Sequence, residues 1–506
     1  MKKPIILLII CMYSCITYAQ PGVRYAIKLR TPEQQKKFEQ IPLWKSVNPQ
    51  TTPLPVSVDN SQSKYFPEVF NQRSNSCSQA SSVRYVFTYE YNRMVDRPAN
   101  TKENVFSYHF TWNYLNEGKD EGSFNDSGYY LMKKAGAATL SIMDDEDYKV
   151  SSTKWLDGYD NYLEALHYRV KECYRFSLKK QEGIDRLRQY LFNHGEEGKT
   201  GGIVSFSCNS SDWKLVDYSD SAKTDIRDII IKNGTDGGHA LTICGYDDSV
   251  RYDLNNNGII ENDEKGAFII VNSWGTSWAT KGRCYYPYKL FLMPEKEGGI
   301  TESNASALCV VPEYHVPKVV FHLNLTYDSR DDLAFTLGVS EDEDATEPDI
   351  TDYYPIMQYQ GGDLPMQGRD TYYVDDNKTI DVAMDFTDML PFFSDYENPK
   401  FFLHIRRIVG GKKLGTGRVN CFEVYDYRKD VCYKCSSDKM ELNRGELWLS
   451  TNPLINVSKN KETWAYDSGE PVFYPFIIRS ADGQQHKVQF YQDANHNITI
   501  EHKELN

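Results

Sequence analysis

The spacing of apolar residues changes character along this chain. From Cys77 they fall at Ala80, Val83, Phe87, Tyr91 and Met94, steps of three or four that place them on one face of a long helix beginning at Cys77. A shorter helical pattern covers 32–40, ahead of the linker Asn48-Pro-Gln-Thr-Thr-Pro-Leu-Pro55. Two apolar strands follow, one just after Gly238-His239 and the other Ala267-Phe-Ile-Ile-Val271. Beyond Pro317 the pattern turns to alternation, in Val319-Val-Phe-His-Leu-Asn-Leu325, Thr379-Ile-Asp-Val-Ala-Met-Asp-Phe386 and Phe401-Phe-Leu-His-Ile405. The fold class expected is α+β: a mixed unit over 53–312, then an all-β, sandwich-like unit over 313–506, with 20–52 a short N-terminal segment.

The first residues fit neither unit. Lys2 and Lys3 precede a short apolar run and the small-x-small string Thr17-Tyr18-Ala19, which reads as a signal peptide over 1–19 and a secreted or periplasmic product. A cell-surface lipoprotein acylated at Cys11 or Cys15 is the alternative, set back by the bulky Ile10 and Met12 ahead of those thiols. No later segment is apolar over a membrane's thickness, so no transmembrane segment is expected.

At 506 residues the chain exceeds one ordinary core. Its formal net charge of −14 sets the field of the whole protein against nucleic acid and anionic membranes. Of eleven cysteines, Cys11 and Cys15 fall in the leader and nine remain, an odd number that flags one thiol kept free or reactive. Cys432-x-x-Cys435 has no second pair at metal-ligand spacing, which favours a local disulfide or two buried thiols over zinc.

Cys77 is the thiol to consider first. At a helix N-terminus, exposed N–H groups and the positive end of the macrodipole favour a thiolate, the form a sulfur nucleophile needs. Gln72, five residues upstream, can bring a side-chain N–H to the Cys77 backbone N–H, making an oxyanion hole. His239 stands in Asp236-Gly-Gly-His-Ala-Leu-Thr-Ile-Cys-Gly-Tyr246, a Gly pair leading into a strand. The second strand runs straight into Asn272-Ser-Trp-Gly-Thr-Ser-Trp278, where an Asn oxygen can fix the histidine tautomer and an indole can shield that bond.

A Gln ahead of a helix-starting Cys, then Gly-His-Ala before a Gly-Tyr strand, then Asn-Ser-Trp-Gly, in that order, resembles the papain-like cysteine peptidases over about half the chain. The resemblance implies a helical left subdomain carrying Cys77 as nucleophile. It also implies a β-barrel-like right subdomain carrying His239 and Asn272, with a substrate cleft between. Gln72 would then serve the oxyanion hole, and Trp274 the shielding of the His–Asn bond. The segment Gly122-Ser-Phe-Asn-Asp-Ser-Gly-Tyr129 takes the place of the family's Gly-rich strip, so Ser127 and Gly128 are expected to line the cleft. Two departures stand out: Cys77-Ser-Gln-Ala replaces Cys-Trp-Ala, and Gln72 lies one residue closer to the cysteine than is common.

Between His239 and Asn272 lies Asp253-Leu-Asn-Asn-Asn-Gly-Ile-Ile-Glu-Asn-Asp-Glu264. It matches an EF-hand loop, with Asp253, Asn255, Asn257, the Ile259 carbonyl and Glu264 as oxygen ligands and Gly258 at the sharp turn. A structural Ca²⁺ would stiffen the connection that aligns His239 with Asn272. A second match, Asp493, Asn495, Asn497 and Glu504, has Ile498 where glycine is usual. The expected function is hydrolysis of peptide bonds in a peptide or protein substrate through an acyl-enzyme, with no cofactor for the chemistry. The alternatives are a catalytically weak scaffold whose β domain binds protein or glycan, and acyl or amide chemistry on a substrate such as cell-wall peptide.

Overall fold

The spacing read from Cys77 produces one helical run in three pieces: an α-helical turn Cys77–Gln79, a π-helical stretch Ala80–Phe87 and an α-helix Thr88–Met94. A computed structural model describes residues 30–46, 52–147, 151–218, 225–369, 377–407, 415–435, 440–442 and 446–451. Beyond these it gives the backbone of the strands Phe476–Arg479, Gln485–Gln492 and Ile498–Leu505. The leader expected over 1–19 lies outside the described residues.

The Cys77 helix is not one-sided, as its apolar stripe suggested. It is buried all round from Cys77 to Asn92, and its polar residues survive there because each finds a partner. Ser81 Oγ donates to Leu241 O at 2.8 Å, Asn92 Nδ2 donates to Asn104 O at 2.7 Å, and Thr88 Oγ1 accepts the Phe106 N–H at 3.0 Å. Glu90 accepts from Ile203 N, Tyr190 OH and His194 Nε2. Burial works to raise its carboxyl, yet His194 and Arg93 hold it down to about 2.

A nine-stranded sheet backs this helix. Its order is Tyr168–Ser177, Ser306–Tyr314, Val204–Ser211, Asp236–Arg251, Lys265–Val271, Arg283–Pro287, Asp228–Lys232 and Lys214–Asp217, with Ser57–Asp59 paired onto Asp236–Arg251. Pairing is antiparallel except between Asp228–Lys232 and Arg283–Pro287. The long strand Asp236–Arg251 is central, so His239 sits near its start with neighbours on both sides: Val204–Ser211, where Cys208 lies opposite His239, and Lys265–Val271. Helices Tyr108–Leu115 and Asn125–Ala135 cover the other side of the Cys77 helix. The α+β class expected of this part is the class observed.

The alternating segments beyond Pro317 form antiparallel sheets. One orders Thr379–Asp385, Val319–Tyr327, Gly417–Asp426 and Val431–Lys434, and another Ile350–Tyr353, Leu333–Ser340, Lys400–Arg407 and Leu447–Ser450. Their inner faces meet through Phe321, Leu323, Phe335, Leu337, Phe401 and Ile405. The same apolar cluster continues into Phe110, Tyr114, Leu131, Trp155 and Tyr162 of the preceding helical region. Polar contacts follow the seam. Arg169 pairs with the fully buried Asp385, His315 Nε2 meets Asp385 Oδ2 at 2.7 Å, and Lys134 Nζ meets Asp352 at 2.6 Å. Arg330 lays its guanidinium 4.1 Å from the Trp155 ring and donates to Thr153 O at 2.7 Å, and burial lowers it to about 9.

The second acidic motif lies largely outside the described residues. Asp493, Asn495 and Asn497 lie outside the described residues, and Glu504 is in a strand, paired with His486. The nine cysteines among the described residues are all thiols, including Cys432 and Cys435.

Candidate active site

Cys77 enters the site from the helical side, at the first residue of its helix, and His239 and Asn272 enter from the sheet. His239 Nε2 lies 2.8 Å from Asn272 Oδ1, and both residues are buried. The tautomer follows from the partners. Asn272 Oδ1 also accepts the Ser273 N–H at 2.7 Å, so this atom is the amide oxygen and His239 Nε2 carries the proton. Nδ1 is then the basic nitrogen. Cys77 Sγ accepts the N–H of Ala240, the residue after His239, at 3.4 Å.

Burial dominates the electrostatics. It pushes the Cys77 thiol up to about 12, against the N–H of Ala240 and the Ser78 groups that favour the thiolate. It presses His239 down to about 4, against the Asn272 hydrogen bond that favours imidazolium. At neutral pH the closed pair is therefore thiol and neutral imidazole. Reaching the thiolate–imidazolium pair requires a polar group or water to enter the site.

Gln72 is buried beside the cysteine. Its Nε2 donates to Ser74 O at 2.9 Å and its Oε1 accepts the Ser273 hydroxyl at 2.5 Å, leaving one amide hydrogen uncommitted to those contacts. The loop carrying it is laced to the Asn272 turn: Gln72 N donates to Ser273 O at 2.7 Å and Gly275 N to Phe70 O at 3.0 Å. Trp274 stacks on the His239 ring at 4.5 Å and 28°.

Ser127 and Gly128 are not part of a cleft-lining strip. Both lie inside the helix Asn125–Ala135, where the Ser127 N–H is taken by Phe124 O, and a Cβ on Gly128 would fall 2.0 Å from Gln79 Oε1. The extended piece next to the nucleophile is 121–124 instead. Ser123 O accepts the Ser78 hydroxyl at 2.6 Å and Ser123 Oγ accepts Gln79 Nε2 at 2.9 Å. A cavity of about 1060 Å³ runs from this piece to Gly238, beside His239, lined by Glu121, Phe124, Ser207, Asn209 and Asp236, with Arg30 and Phe38 on its far wall.

Trp213 was not singled out from the sequence. It sits at the turn between Val204–Ser211 and Lys214–Asp217, 6.2 Å from the His239 ring and 5.5 Å from Trp274. The string Ser210-Ser-Asp-Trp213 shows only a tryptophan in a polar turn; in the fold it is half-buried and packs against the apolar cluster of the sheet as well as Trp274.

The loop Asp253–Glu264 keeps the shape its spacing suggested. Asn256 and Gly258 take positive φ of 59° and 84°. Asp253 accepts the Asn257 and Gly258 N–H groups, Asn255 that of Asn257, and Asn257 that of Ile259. Glu264 is buried and accepts the N–H groups of Leu254 and Glu261, both at 3.1 Å. An all-oxygen donor set folded back on itself in this way fits a hard cation such as Ca²⁺.

No protein-family model matches the chain, and no curated protein matches it. Solved structures similar to it in part include xylellain, a cysteine protease from Xylella fastidiosa, at 19% identity over 57% of this chain and 95% of that one, with a TM-score of 0.35. A procathepsin B from Trypanosoma congolense shares 17% identity over 59% and 89%, with a TM-score of 0.39. A cysteine protease from Carica candamarcensis, solved in complex with E-64, shares 16% over 51% and 98%, with a TM-score of 0.33.

Proposed function

We propose that this chain is an exported cysteine peptidase that hydrolyses peptide bonds through Cys77, His239 and Asn272. The observation that carries the reading is the 2.8 Å bond from His239 Nε2 to Asn272 Oδ1, which leaves Nδ1 as the basic nitrogen of a residue whose chain neighbour, Ala240, donates its N–H to Cys77 Sγ.

A peptide entering the cleft brings its own polar backbone into a dry site, which lowers the cost of charging the pair. The Cys77 proton passes to His239 Nδ1, and the thiolate adds to the carbonyl carbon. Negative charge grows on the carbonyl oxygen, where the Cys77 N–H and the uncommitted hydrogen of Gln72 receive it. Collapse breaks the C–N bond as His239 returns its proton to the leaving amine. Water, deprotonated by His239, then attacks the thioester and releases the acid, restoring the thiol. Asn272 accepts from Nε2 throughout, and Trp274 keeps water from that bond. Ca²⁺ in the loop Asp253–Glu264 would supply stiffness to the segment joining His239 to Asn272.

The test is labelling of the purified mature chain with a peptidyl epoxide followed by peptide mass mapping. Modification at Cys77 alone, lost in His239→Ala, is the expected result. No labelling, with the chain folded, would sink the reading and favour a binding scaffold.

A further inference from the structure

We propose that the outer face of the C-terminal sheet carries a zinc-type metal site formed by His322, Cys421 and Glu423. The three sit on adjacent strands, His322 directly across from Glu423 and Cys421 two residues before it on the same face. One donor atom from each, an imidazole nitrogen, the thiol sulfur and a carboxylate oxygen, lies within 4.8 Å of the other two. Around a tetrahedral ion with bonds of about 2.0–2.3 Å, such donors stand roughly 3.3–3.8 Å apart, a contraction within reach of side-chain rotation.

The histidine is oriented for this task. Its Nε2 lies 2.7 Å from Asp381 Oδ1, and Asp381 is held in turn by the Tyr159 N–H on its other oxygen at 3.3 Å. Its Nδ1 is buried with no hydrogen-bond partner and faces Glu423 Oε2 at 3.5 Å. A carboxylate that fixes one ring nitrogen while the other faces a second carboxylate is the arrangement that supports metal-bound histidines. The Tyr159 ring packs on His322 at 4.6 Å and roofs the group.

Charge and donor type select the ion. A thiolate and a carboxylate neutralise a divalent cation, and Lys434, 3.2 Å from Glu423 Oε1, holds that carboxylate in place in the metal-free protein. Sulfur with nitrogen and oxygen suits Zn²⁺ or Co²⁺ over the hard cations that fit the loop at Asp253. Three protein ligands leave a fourth position open. The Tyr425 hydroxyl now donates to Glu423 Oε2 at 3.0 Å.

The test uses the full mature chain with Cys77→Ser, which removes the other thiol–imidazole pair, titrated with Co²⁺ in calcium-saturated buffer. One equivalent producing a thiolate-to-cobalt charge-transfer band, bleached by Zn²⁺, is expected. Cys421→Ser should abolish the band, and Asp381→Asn should keep it while weakening binding about 10–100-fold. Zn²⁺ should raise the melting temperature of the parent and not that of Cys421→Ser, whose metal-free melt should match the parent's. No saturable band in the parent, or a band that survives Cys421→Ser, would overturn the proposal.

Discussion

One amide oxygen decides which nitrogen of His239 carries the proton. Asn272→Ala removes it, frees the ring to turn and leaves a buried N–H without a partner. The expected outcome is a fall in kcat/KM of about 10²-fold, roughly 2.7 kcal/mol of transition-state stabilisation, read on a peptide substrate, with peptidyl-epoxide labelling slowed in parallel. The main residues of the site were legible because each announces itself within its own string: a Gln ahead of a helix-starting Cys, Gly-His-Ala, Asn-Ser-Trp-Gly. Ser273 and Trp213 were not, since Ser273 acts by bonding Gln72 some two hundred residues away, and Trp213 reaches His239 only once two strands have paired. Ser127 and Gly128 were misplaced for a local reason. Their string carries turn-forming residues, but the chain spends them on the first turn of a helix, and the extended stretch ends at Phe124.

At the scale of elements, the loop Asp253–Glu264 is set between two strands of the central sheet, so what stiffens it acts on both. Adding Ca²⁺ at about a hundred times its dissociation constant should stabilise the fold by about 2.7 kcal/mol. A chelator should reverse the gain, and Glu264→Gln, which removes the buried carboxylate, should abolish it in a thermal melt. Twelve consecutive positions carry this element, so its turn is local in sequence as well as in space. The Cys77 helix was legible in position but not in surroundings. Its period of three to four reports an apolar stripe, whereas burial on every side depends on Ser81, Thr88 and Asn92 finding partners on distant segments.

At the scale of the molecule, alternation beyond Pro317 foretold strands with one inner face, and it could not say what the sheets would cover. They cover each other and also the helical region, with Arg169 and Asp385 buried at the seam. Arg169→Met should cost up to about 3 kcal/mol, because it takes the guanidinium from a buried carboxylate and leaves His315 as its remaining cationic partner. Burial works to raise the Asp385 carboxyl, but the His315 hydrogen bond and the Arg169 charge outweigh it and hold it below the usual range. A depressed carboxyl contributes stability above its unfolded pKa of about 3.9 and loses it as pH falls through the folded value. Melts at falling pH should therefore show the seam weakening below about pH 4, and less so in Asp385→Asn. Above that range, calorimetry should record one transition for both halves rather than two.

The shared core also has a meaning in time. As the chain is made from its N-terminus, the nine-stranded sheet has all its strands once Tyr314 has appeared. Phe110, Tyr114 and Trp155 must still wait for Phe335 and then Ile405 to cover them. Throughout that interval the N-terminal half holds an uncovered apolar face, and it is completed only when the last of its neighbours arrives.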